Sequence, residues 1–141
     1  MPASSQRLSL ALALSLLFLL PAQAEPAESS FTGLIVDARG WGVQRAMAPS
    51  LLAESGTSLF PVIDQQHPFD FEFALSDGLA LYARSIEEAW KLKRLGGRPL
   101  VVKAAKVEGN ELVFDEETAR EVLEADYSAK FLEKNAVAIV Y

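Results

Sequence analysis

Phe31-Thr32-Gly33-Leu34-Ile35-Val36-Asp37-Ala38-Arg39-Gly40-Trp41-Gly42-Val43-Gln44-Arg45-Ala46-Met47-Ala48-Pro49 is the stretch on which the fold of this 141-residue chain turns. Leu34 to Ala38 is apolar except at Asp37, the composition of a buried strand. Gly40 and Gly42 free the backbone to take positive φ just beyond it. Trp41, between them, either folds back onto the core or stands out as an anchor. We expect the anchor, because Trp90 on a later helix already offers the core a large aromatic, and tryptophan is enriched at binding hot spots. Asp37 and Arg39 lie two residues apart and so share one strand face. They form either a local salt bridge at the end of the sheet or a polar pair presented to a ligand or subunit.

Upstream, Arg7 precedes an apolar run from Leu8 to Leu20, and Pro21-Ala22-Gln23-Ala24 closes it with small residues. That is the anatomy of a secretory signal peptide over residues 1–24. The run is too short to cross roughly 30 Å of hydrocarbon. Glu25 to Ser30 is polar and rich in turn formers, a flexible leader. Residues 31–141 are then expected to fold as one domain. The formal net charge is −6, and loss of residues 1–24 removes Arg7 and no acid. An acidic balance argues against nucleic acid and anionic lipid as partners. The chain has no cysteine, which removes disulfides, thiolate metal sites and a direct lipid anchor on a lipobox cysteine. An exported, cysteine-free, acidic domain fits a bacterial periplasm.

Downstream, a second strand is expected from near Ala46 to Leu52, a turn at Glu54–Thr57, and a third strand over Ser58–Ile63. Phe69, Phe71, Phe73 and Leu75 alternate with Asp70, Glu72 and Ala74. Period two predicts a half-buried strand, its rings either core or an aromatic strip open to another chain. Ser85 followed by Glu88 is a capping box that starts a helix running to about Leu95, with Ile86, Ala89 and Trp90 on its buried face. Gly96-Gly97 stops it. Pro99–Val107 reads as a central strand, Glu111–Phe114 as another, and Asp115 as the cap of a second helix. Ala136–Tyr141 is strand-like to its last residue. Strands interrupted by two helices, with hairpin-length connections, predict an α+β fold: a mostly antiparallel sheet with two helices packed on one face.

Chemical signatures are sparse. Gly40-Trp41-Gly42 lacks the third glycine of a dinucleotide fingerprint, and there is no phosphate-cradling loop ending in Lys-Ser or Lys-Thr. The one histidine, His67, lacks a histidine partner for a metal and a Gly-x-Ser-x-Gly elbow for hydrolysis. Glu87-Glu88 and Glu116-Glu117 sit at helix starts, where the helix dipole accounts for them. No enzyme and no cofactor are expected.

The block from Thr32 to Gly40, followed by Ala46-Met47-Ala48-Pro49, resembles small exported bacterial envelope proteins of the FlgP-like type, flagellar outer-membrane lipoproteins. Gly97 to Ala104, and Phe131-Leu132 leading into Val137–Val140, resemble them as well. The resemblance implies a non-enzymatic α+β protein of the envelope or flagellum. Two features depart from it: no lipobox cysteine is present, and the Asp64–Phe73 segment replaces a short connection. The resulting expectation is a periplasmic structural or assembly protein working through protein–protein contacts. Its partners would be envelope or flagellar proteins or further copies of itself, and Asp37, Arg39, Trp41, Phe69, Phe71 and Phe73 its interaction residues. The alternative is a module binding a lipid or cell-wall fragment, with Trp41 and the Phe strand lining one pocket.

Overall fold

The computed structural model describes residues 30–141; the expected signal peptide and all but the last residue of the expected leader lie outside them. Among the described residues no helix is long and apolar enough to cross a membrane. The chain runs β1 (Gly33–Asp37), β2 (Ser50–Ala53), β3 (Ser58–Phe60), α1 (Phe71–Ser76), β4 (Leu81–Ala83), α2 (Ile86–Trp90), a 3-10 turn (Lys93–Leu95), β5 (Pro99–Lys103), β6 (Lys106–Glu108), β7 (Glu111–Phe114), α3 (Glu116–Ala129) and β8 (Val137–Val140).

The fold is α+β, but a mostly antiparallel sheet is not what forms. There are two four-stranded sheets, ordered β4-β8-β1-β5 and β3-β2-β7-β6. Every pairing in the first is parallel. The second is mixed, with β2 parallel to β7 and antiparallel hairpins at either side. The physical reason lies in the connections. A parallel pair needs a long crossover, and each strand of the first sheet is separated from the next in sequence by an excursion. Residues 38–80 carry β2, β3 and α1, residues 84–98 carry α2 and the 3-10 turn, and residues 104–136 carry β6, β7 and α3. The genuine hairpins, β2–β3 and β6–β7, both belong to the second sheet. Nor do two helices share one face. The helix α2 packs on β1, β4 and β8, whereas α3 touches β5 of the first sheet and β2 and β7 of the second.

The expected central strand Pro99–Val107 is in fact two edge strands in different sheets. The break falls between adjacent amides: Ala104 donates to the Asp37 carbonyl at 3.0 Å, and Ala105 donates to the Val113 carbonyl at 2.8 Å. Lys103 and Lys106, both within that expected strand, belong to separate sheets.

The core centres on β1 and β8, whose residues are all buried. Phe60, Phe114 and Phe131 are its largest fully buried side chains. The predicted helix over residues 86–95 forms as a short α-helix and a 3-10 turn. Ser85 Oγ accepts from the Glu88 amide at 3.0 Å, while the Glu88 carboxylate accepts from the Arg84 amide at 3.3 Å. Trp90, expected inside, is exposed.

Candidate functional site

In an open parallel sheet, ligands bind beyond the carboxyl ends of the strands. Here β1 ends at Asp37, and residues 38–49 lead away along that rim before β2 begins. Asp37 is 9% exposed. Its carboxylate takes a two-pronged grip on Arg39, with Nε to Oδ1 and Nη2 to Oδ2 both at 2.9 Å, and also accepts from the Arg39 amide at 3.2 Å. The Arg39 hydrogen bond, more than the opposing cost of burial, holds the Asp37 carboxyl below the usual range, and Lys103 adds to it from β5. Each member of the pair therefore occupies the other, and the arrangement closes the end of β1.

Gly40 and Gly42, with φ of 88° and 68°, set the indole of Trp41 between them. Trp41 is 47% exposed. The loop is then fastened to β4: the Ala46 amide donates to the Tyr82 hydroxyl at 3.0 Å, and the Arg45 guanidinium lies 5.6 Å from the centroid of the same ring. Burial raises the Tyr82 phenol above its ordinary value, against the opposing pull of that amide and of Arg45. Tyr141 meets Tyr82 edge-on at 5.9 Å, and Arg84 covers Tyr141 at 5.2 Å.

Two clefts flank this loop. One, of about 420 Å³, is lined by Trp41, Gln44, Arg45, Val107 and Asn110 with Gly42, Ala46 and Gly109. The other, of about 280 Å³, lies between Arg45, Met47 and Tyr82 on one side and Ala74, Leu75 and Asp77 on the other.

Phe69, Phe71 and Phe73 are not a strand. Asp70 accepts from the Phe73 amide at 2.9 Å and caps α1, a single turn and a half of helix. The winding splits the three rings. Phe71 is 60% exposed, Phe69 and Leu75 are exposed beside it, and the Phe69 and Phe71 rings tilt against each other at 6.2 Å. Phe73 turns inward against the core. The Arg94 guanidinium lies over its ring at 4.9 Å and donates to the Gly78 carbonyl at 2.9 Å. Trp41 and Phe69 line different clefts, so the single pocket expected from Trp41 and the Phe strand does not form.

The predicted residues thus fall into four settings: a closed ion pair, a tryptophan on a cleft wall, two exposed rings where α1 begins, and Phe73 turned in against the core. Gln44, Arg45, Met47, Tyr82 and Asn110 were not singled out from the sequence, and no local signal marks them, since chain crossings bring them together. Leu75 was legible, standing one helical turn beyond Phe71.

This geometry defines a small α+β domain whose distinctive features are exposed surfaces rather than an enclosed centre. Residues 33–141 match the family of the second domain of Tp0624 from Treponema pallidum, and the chain belongs to that family. The match does not extend to the FlgP-like type. No curated protein gives a significant match.

Proposed function

We propose that the chain is a non-enzymatic protein of the bacterial periplasm that assembles through protein–protein contacts. The flagellar setting of FlgP-like proteins is the finer form of this reading, and it rests on the sequence resemblance. The observation that carries the proposal is the exposed apolar face around α1. Phe69, Phe71 and Leu75 stand together in solvent, with Met47 and Ile63 exposed nearby. Scattered exposed apolar residues need no explanation, whereas clustered aromatic ones mark contact surfaces. The partner chemistry implied is a complementary apolar protein surface, from another envelope protein or a second copy.

The test is the mass in solution and the cross-linked partners of the exported chain beside its Phe71→Ser, Leu75→Ser double variant. The wild type associates and the variant does not, while both melt within a few degrees of each other because neither side chain is core. A wild type that stays strictly monomeric at high concentration and captures no envelope protein would sink the proposal.

A further inference from the structure

The cleft beside Trp41 has a chemistry unlike that of the α1 face. It holds one aromatic face, two side-chain amides and one guanidinium, contributed by Trp41, Gln44, Asn110 and Arg45, all exposed. Although the chain has 19 acidic residues, none lines this cleft. Among the described residues the salt bridges engage Arg39, His67 and Lys106 and leave Arg45 without a carboxylate partner. Arg45 is nevertheless held in place, by the Tyr82 ring beneath it and by the neighbouring Ala46 amide on the Tyr82 hydroxyl. Tyr82 lines the second cleft and Arg45 lines both, so the guanidinium is held on the wall that the two clefts share.

We propose that this cleft is a saccharide site in which a pyranose ring stacks on Trp41 and a sugar-borne carboxylate pairs with Arg45. The C–H face of a pyranose is apolar and slightly positive, which suits the electron-rich face of an indole. Sugar hydroxyl and acetamido groups need donors and acceptors together. An amide side chain supplies both, so Gln44 and Asn110 match that need from two walls. An unpaired guanidinium in a cleft free of acids favours an anionic substituent, which it can grip with two parallel hydrogen bonds. The volume of about 420 Å³ lies within the roughly 300–1,000 Å³ of small-ligand sites. A flat protein contact would not need paired amides around a recess. This site is independent of the α1 face, and either can fail without the other.

The test uses two disaccharides that differ only in the O3 lactyl ether that bears the carboxylate: N-acetylglucosaminyl-N-acetylmuramic acid and N,N′-diacetylchitobiose. Trp90→Phe leaves Trp41 as the sole tryptophan, so its fluorescence reports binding to the exported chain. Both sugars are expected to shift the emission saturably, the acidic one binding about tenfold tighter, the worth of one charge-assisted contact. Arg45→Gln abolishes that preference and leaves chitobiose affinity in place. Trp41→Ala, followed by calorimetry in the otherwise native chain, weakens both sugars at least about tenfold, with the melting temperature unchanged. Asn110→Ala weakens both as well. No saturable binding of either sugar, or binding indifferent to Trp41→Ala, overturns the proposal. Equal affinity for the two sugars overturns the carboxylate contact.

Discussion

Asp37 and Arg39 pair two positions apart, but the turn after β1 rather than a shared strand face brings them together. Asp37 is the last residue of β1 and Arg39 lies in the turn beyond it, where the side chains lock together. The carboxylate is nearly buried, so its charge depends on the grip. Because the folded state holds Asp37 below its ordinary value, the pair stabilises the fold above about pH 4, the unfolded carboxylate range, and that contribution is lost as pH falls through the lower folded value. Asp115 shares the direction, held down by the Thr118 amide that it caps. Asp37→Asn should therefore cost about 1–2 kcal/mol near neutral pH. The difference from wild type should shrink toward zero in acid, where the wild-type carboxylate is itself protonated. Urea midpoints across the acid range check this. A deficit as large in acid as at neutral pH would mean that shape rather than charge holds the site.

Several elements were legible from a cap or a continuous apolar run. The β1, β7 and β8 strands, the Ser85 cap and the Asp115 cap lie where the residues put them. The Phe69–Leu75 segment misled because two periods coexist in it. Its rings alternate, but Phe71 and Leu75 are also one helical turn apart, and the Asp70 cap decides between them. The Pro99–Val107 run misled because an apolar strand at the boundary of two sheets looks the same as one at the centre of a single sheet. Close approach between elements is likewise invisible in sequence. Gly33 begins β1 against the 3-10 turn, where a Cβ would sit 2.6 Å from the Leu95 carbonyl oxygen and 3.0 Å from that of Ala136. Both obstacles are backbone, so neither can swing aside. Gly33→Ala should cost about 1–3 kcal/mol by overpacking. Gly97→Ala, with open space around its Cβ, should be neutral or slightly stabilising. A denaturation series of the two variants decides whether this contact, rather than glycine content in general, fixes the seat of the 3-10 turn.

At the scale of the molecule, two sheets of different character must behave as one body for the rim between them to hold a site. Their buried residues belong to one hydrophobic core, and two further links join them. The chain crosses from β5 to β6 at Ala104 and Ala105, whose amides bond to different sheets, and α3 packs against strands of both. Val122 and Ala119 are the buried residues of that helix, and Val122 has no exposed surface. Truncating it removes apolar contact at the place where the sheets share a cover. Val122→Ala should cost about 2 kcal/mol, from lost burial and an incompletely relaxed cavity. The informative readout is where that loss is felt. The β8 strand lies inside the parallel sheet and β7 inside the mixed one. If the two sheets unfold as a single cooperative unit, hydrogen exchange at the slowest amides of β7 and β8 accelerates by the same factor, about thirtyfold for that free energy. If only the mixed sheet depends on α3, the β7 amides quicken while those of β8 keep their wild-type rates. That second outcome would make the wall bearing Val107 and Asn110 independent of the wall bearing Trp41, and the cleft between them a gap that opens rather than a recess held in shape.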